Sequence, residues 1–448
     1  MNRKPATPAS RSSSAAAGAH PGLGAQPPRS ATHALVAFSG LFGLVVGVVL
    51  ARLWHPSDRI YVLALLVMGC TALGVFIPDL CWQRVQRREL AQVRRAGSWA
   101  RTATKYLGLI GCLAFVGLIY WLFPAYYRDD SFFHNYWSVL WILAPLILVP
   151  ALPYLYWVDR RMPVAEDGLW QLGRALSGHA ADAVPAEVGQ LLLGWLVKAF
   201  FMALMFVFFC NDLVRLLDTR VAQLDNQDAL FDFSVFALYF IDVALVSMTY
   251  LVSLRLTDTH LRSTEPTLLG WATALICYPP FNSLPYLDYQ PPHEWGYWLG
   301  KYEIPSDLWG SAILALVVVY VWATVAFGGR FSNLTHRGII TNGPYRYTRH
   351  PAYLAKNLSW WLVSMPFMFA GNWPDTIRHC VLLGCLNFIY YLRAKTEERH
   401  LSQDPVYAEY AAWIEAHGLL RFVNRIPLLG ALARWQPSKE SPWTSRQR

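Results

Sequence analysis

Between Gly343 and Tyr353 the chain reads Gly-Pro-Tyr-Arg-Tyr-Thr-Arg-His-Pro-Ala-Tyr, eleven residues dense in phenol rings, cations and turn formers. A second polar block follows, Arg393-Ala-Lys-Thr-Glu397-Glu398-Arg-His-Leu401, with Tyr407 and Tyr410 beyond it. Guanidinium groups hold carboxylates, and carboxylates hold ammonium groups or sugar hydroxyls through charge-assisted bonds. Pro351 disfavours helical geometry at His350, so the imidazole sits at a break, and Pro351 itself suits the first position of a helix that carries Tyr353. Arg393, Glu397 and Leu401 are four apart and share one helical face, where Arg393 and Glu397 can pair. Taken alone, the first block also suits a basic, aromatic anchor at a membrane surface. Both blocks flank strongly apolar sequence, where polar groups are costly and mark function.

The elements around these blocks are membrane elements. Of 448 residues, 55% are hydrophobic and only 15% charged, with 20 Trp; soluble chains carry about 25% charged residues. Apolar runs occur at 34–53, 60–81, 106–127, 138–157, 191–210, 230–254, 268–285 and 309–327, each near the roughly 20 residues that cross a bilayer as a helix. Two shorter runs, 357–371 and 377–392, predict a tight hairpin. The expected fold is therefore an all-α polytopic bundle of about ten membrane helices, with a C-terminal helix on the cytoplasmic side. Four segments are expected: a disordered basic tail over 1–32, a membrane bundle over 33–308, a second membrane domain over 309–430 and a flexible tail over 431–448.

Charge placement sets the expected orientation. The net charge is +9, and Arg84, Arg87, Arg88, Arg94, Arg95, Arg101 and Lys105 fill one inter-helix loop. That is the positive-inside pattern, with anionic membrane lipid as the natural partner, and not the patterning of a nucleic-acid binder. With the N-terminus cytoplasmic, the loops near Arg160 and from Arg255 to Arg262, and both polar blocks, share the cytoplasmic face. Asp212, Asp218, Asp225 and Asp228 then crowd the opposite side. The aromatic loop 286–308 reads as an interfacial belt. The seven Cys include no C-x-x-C pair, so neither a disulfide framework nor a metal site is expected. Lys198 and Asp242 fall inside apolar runs and are expected to serve structure, Lys198 by snorkelling and Asp242 by local pairing, with a mutual pair as the alternative. Pro279, Pro280 and Pro285 break the seventh run.

The two polar blocks together resemble the C-terminal signature of the isoprenylcysteine carboxyl methyltransferase and phospholipid methyltransferase superfamily, over about residues 328–427. The resemblance implies an integral-membrane enzyme that uses S-adenosylmethionine on a lipid-like or isoprenoid-like acceptor, a carboxyl, amine or thiol, in the inner membrane if the host is bacterial. It assigns cofactor binding to Gly343, Pro344, Tyr345, His350, Tyr353, Glu397 and Glu398, and catalytic roles to Arg349, Arg393 and Glu398. No G-x-G-x-x-G motif follows a strand, so a soluble dinucleotide fold is not in use. Two departures stand out. Ala355 replaces a usual Gly, which would narrow the cofactor cleft, and Asp404-Pro405 replaces a Phe-Gly-like turn, with Pro405 expected to terminate a helix. Membrane reductases that use NADPH resemble the first block too, but carry Asn where this chain has Ala352 and Asp-Glu where it has Glu397-Glu398. A third reading is a non-catalytic lipid-binding or transport bundle, suggested by the long N-terminal region.

Overall fold

The structure is a computed structural model and describes residues 24, 26–54, 59–127, 130–282, 289–369 and 371–422. The tail before Gly24 and the expected C-terminal tail at 431–448 lie outside the described residues. Among the described residues, seven helices are long and apolar enough to cross a membrane. They are α1 (Ala34–Trp54), α2 (Ile60–Cys81), α4 (Trp99–Leu122), α6 (Asp130–Asp159), α8 (Pro185–Asp218), α9 (Gln227–Leu251) and α12 (Glu303–Val325). Shorter helices link them: α3 (Gln86–Leu90), α5 (Pro124–Tyr127), α7 (Gly168–Leu176), α10 (Leu268–Leu275) and α11 (Trp295–Leu299). The expected hairpin is α13 (Pro351–Ser364) and α14 (Trp373–Leu401), followed by α15 (Pro405–His417). The fold is an all-α polytopic membrane bundle. Its outward faces carry large apolar side chains such as Phe42 (72% exposed), Trp141 (80%) and Val149 (75%), which is stable only against lipid.

One crossing differs from expectation. The run at 268–285 does not form a full spanning helix: α10 covers eight residues and ends at Leu275, before Pro279 and Pro280. The chain still travels the length of the bundle. The strand β1 (Ser263–Thr264), just past the end of α9, pairs with β2 (Thr335–His336), just past the end of α12. These two helix ends are therefore on one side. Trp295 packs against Phe231, near the start of α9, with ring centroids 5.2 Å apart. Irregular backbone at membrane depth survives only when protein satisfies it. Here the Tyr126 hydroxyl donates to the Pro279 carbonyl at 3.0 Å, and Trp271 Nε1 donates to Glu265 O at 2.8 Å.

Among the described residues, Lys198 and Asp242 do not pair with each other. Asp242 accepts from Tyr320 (2.7 Å) and Thr324, both on α12, and so ties α9 to α12. The Lys198 ammonium lies 5.2 Å from the Trp195 ring on its own helix. The boundary expected near Leu308 falls inside α12, which packs on both α9 and α13. At the polar end of the bundle Arg330, fully buried, meets Asp79 at 2.9 Å and Asp258 at 3.7 Å. Arg337 donates to the carbonyls of Thr249, Thr259 and Phe331 at 2.7–2.9 Å, and to Val252 O at 3.2 Å, closing the C-terminal end of α9.

The last part of the segment expected to be a disordered tail is also held. Ala31 N donates to Ile339 O (2.8 Å), the Thr341 hydroxyl to Pro28 O (2.7 Å) and Asn342 Nδ2 to Thr32 O (3.0 Å). Residues 28–32 thus form a strap across 339–342, because both segments carry backbone groups that no helix satisfies.

Candidate functional site

The site is built where a tight turn, a helix start and a helix end meet. Gly343 opens a 3-10 turn to Arg346 with φ +56, and a Cβ there would come within 3.3 Å of Ala326 and of the Trp322 indole. Glycine is required by both the backbone and the close approach. The turn delivers Tyr345, whose carbonyl accepts from Tyr410 on α15 at 2.7 Å and whose ring packs on Phe327 at 5.3 Å. His350 then occupies the cap position of α13 in a non-helical conformation, with Pro351 first in the helix. Opposite them, α14 runs unbroken from the apolar run 377–392 into the charged residues 393–401. Its last turns lie beyond the apolar stretch. Pro405 starts α15 instead of ending a helix, and Asp404 caps it by accepting from Val406 N at 2.8 Å.

This arrangement brings the predicted polar residues together around one cavity. Its wall includes Tyr345, Arg349, His350, Tyr353, Arg393 and Glu397, together with Tyr407 and Tyr410. The Tyr353 hydroxyl donates to Glu397, and Arg393 Nε lies 3.5 Å from the same carboxylate oxygen. The guanidinium of Arg393 sits among three rings, 5.3 Å from Tyr353, 5.9 Å from Tyr390 and 6.0 Å from Tyr278. The rings of His350 and Tyr353 stack at 5.5 Å.

Three of the predicted residues are not on that wall. Gly343 and Pro344 shape the turn behind it. Glu398 is buried beside the cavity, drawn away by three partners: His350 Nε2 at 3.0 Å, Arg349 Nε at 3.1 Å and Lys395 Nζ at 3.0 Å. Burial alone would raise its carboxyl, but the hydrogen bond with His350 and the charges of His350, Arg349 and Lys395 outweigh burial and hold it at about 2. Glu398 thus orients Arg349 and His350, while Glu397 faces the cavity. Ala355 is buried and off the wall, so its methyl fills packing space and does not narrow the cavity.

Other wall residues escaped the sequence reading. Asn333 accepts from Arg393 at 2.5 Å, donates to the Tyr278 hydroxyl at 3.2 Å, and its backbone N–H donates to Tyr250 at 2.8 Å. It fixes the guanidinium from a loop with no periodicity to betray it. Glu265 reaches the wall from the neighbouring broken crossing, and it stands out in sequence only as a lone carboxylate after the Arg255–Arg262 segment. Lys356 also lines the cavity, its ammonium 5.2–5.9 Å from the rings of Trp360, Tyr320 and Tyr390. Among the described residues, one Glu265 oxygen and the Tyr407 hydroxyl are buried without a hydrogen-bond partner. Among the described residues, no three His, Cys, Asp or Glu side chains converge as metal ligands.

Residues 309–403, from α12 to just past the end of α14, match the model of the isoprenylcysteine carboxyl methyltransferase (ICMT) family. The matched stretch contains both polar blocks up to Gln403 and leaves out the N-terminal bundle. No curated protein and no solved structure matches the chain.

Proposed function

We propose that this chain is an integral-membrane methyltransferase that takes S-adenosylmethionine and methylates a lipid-like or isoprenoid-like acceptor at the cytoplasmic leaflet. The observation that carries this reading is the Tyr353–Glu397–Arg393 cluster on the cavity wall, inside the stretch that matches the family. When bound, S-adenosylmethionine supplies an electrophilic methyl group on a positively charged sulfur.

The residues present fit such a molecule. Glu397 suits an ammonium or ribose hydroxyls, and Arg393 and Arg349 suit a carboxylate. The orphaned Tyr407 hydroxyl and Glu265 oxygen supply a donor and an acceptor that the protein itself leaves unmet. Tyr353 holds Glu397, Asn333 holds Arg393, and Glu398 holds Arg349 and His350, so the wall is ordered before any ligand arrives. A carboxylate or thiolate acceptor attacks without losing a proton and so needs no strong base. The broken crossing at Pro279 and Pro280 borders the cavity through Tyr278, and offers an apolar acceptor a lateral way in.

The test is equilibrium titration of S-adenosylmethionine, and separately of NADPH, into detergent-purified protein. Saturable binding of S-adenosylmethionine alone is expected. Binding of NADPH alone would replace this reading with a reductase, and binding of neither would leave a non-catalytic bundle.

A further inference from the structure

A second cavity on the polar end of the bundle is walled by arginines from three distant segments: Arg29, Arg84 with Arg87 and Arg88, and Arg262. Arg88 and Arg262 share the Asp258 carboxylate, each at 2.9 Å, and Arg330 also approaches it at 3.7 Å. The wall's own acid, Asp404, lies 3.3 Å from His336. Among the described residues, Arg29, Arg84 and Arg87 have no carboxylate within 4 Å. Gln83, also on the wall, accepts from Arg88 through its oxygen at 3.1 Å, while its amide nitrogen is buried with no acceptor. The cavity therefore presents donors and positive charge far in excess of acceptors. A buried donor without a partner and several unpaired guanidinium forks call for an anion with several oxygens.

The depth of the cavity identifies the anion's source. Arg84 follows the last residue of α2, Cys81, by three positions, and Arg29 precedes the first residue of α1, Ala34, by five. The arginines thus sit where two adjacent membrane helices leave the apolar layer. Trp82, half exposed between them, meets His33 edge to face at 4.8 Å, and tryptophan favours the level of lipid headgroups. We propose that this cavity binds the phosphate of an anionic phospholipid headgroup. The site is separate from methyl transfer and does not depend on it.

Occupancy has a structural consequence. Arg88 also donates to Ala31 O at 2.7 Å, Ala31 N donates to Ile339 O at 2.8 Å, and Ile339 lines both cavities. A bound phosphate steadies Arg88, which holds the strap, and through the strap it steadies one wall of the candidate active site.

The protein in detergent decides the matter. It is compared in mixed micelles with phosphatidylglycerol, in mixed micelles with phosphatidylcholine, and with inorganic phosphate alone. Native mass spectrometry counts the retained lipid, and thermal unfolding gives Tm. Wild type is expected to retain phosphatidylglycerol and to gain Tm from it. In R84Q/R87Q, whose side chains are exposed and unpaired, retention falls at least tenfold and the Tm gain disappears. The charge-matched R94Q/R160Q keeps both. Unchanged retention in R84Q/R87Q overturns the site, and an equal loss in the control variant reduces it to general surface charge. Equal retention of phosphatidylcholine, or full stabilisation by inorganic phosphate alone, overturns the lipid assignment.

Discussion

Glu397 and Glu398 are adjacent in sequence and opposite in consequence. Successive residues on a helix point about 100° apart, so only one of two neighbours can face the cavity. Glu397 does, held by Tyr353 and Arg393, while Glu398 is enclosed by His350, Arg349 and Lys395. E397Q is expected to weaken S-adenosylmethionine binding by about tenfold to a hundredfold, the loss of a charge-assisted contact of roughly 1.5–3 kcal/mol, with little change in stability. E398Q is expected to do the reverse and cost about 1.5–3 kcal/mol of stability near neutral pH. Because the folded-state carboxyl is held near 2, below its ordinary 4.5, this contribution is complete above the ordinary value. It is lost as pH falls through the folded one. Chemical denaturation of both proteins between pH 7 and pH 2 should show the gap closing below about 4.5; a gap independent of pH would assign Glu398 a packing role only. The sequence displayed both carboxylates and their spacing from Arg393. It did not display which one faces inward, because that depends on the phase of α14 against the break at His350.

At the scale of elements, the hairpin of α13 and α14 was legible because Pro351 and the paired apolar runs mark it. At 268–285 the break was legible from Pro279, Pro280 and Pro285, but the path of the chain was not. The run is apolar enough for a helix, and only the tertiary partners of its backbone show how the chain crosses after α10 ends at Leu275. Tyr126 is such a partner, from an element more than a hundred residues earlier. Y126F removes the donor and leaves the Pro279 carbonyl unmet. It is expected to lower stability by about 1–2 kcal/mol, read as a fall in Tm in detergent, and to raise proteolysis around 276–282. An unchanged Tm would mean that another group satisfies that carbonyl. Nothing in the local sequence of either segment announces the contact.

Across the whole molecule, the N-terminal bundle and the stretch that matches the family share one buried charge centre. Arg330 joins Asp79 of α2 to Asp258 after α9, and Arg88 and Arg262 complete it. Removing one member of a buried pair leaves an uncompensated charge, at a cost of about 3–5 kcal/mol. R330M and D79N should each destabilise the full chain strongly, and the D79N/R330M pair should recover part of the loss. If the double variant loses the sum of the singles, the two residues act independently. The sequence showed Arg88 and Arg262 as loop charges obeying the positive-inside pattern and did not single out Asp79, Asp258 or Arg330. That these two are internal ties, while Arg84 and Arg87 have no carboxylate within 4 Å among the described residues, follows only from how the loops fold over one another.

The strap at residues 28–32 makes its hydrogen bonds more than three hundred positions away, at 339–342. A contact of that sequence separation is among the slowest to find its partner. During synthesis the strap emerges early and waits while every long apolar helix is inserted. The strap is therefore fastened only after the long apolar helices have been made, and a ribosome stalled before Ile339 would leave a chain that lacks both the strap's partner and the hairpin that carries the rest of the site.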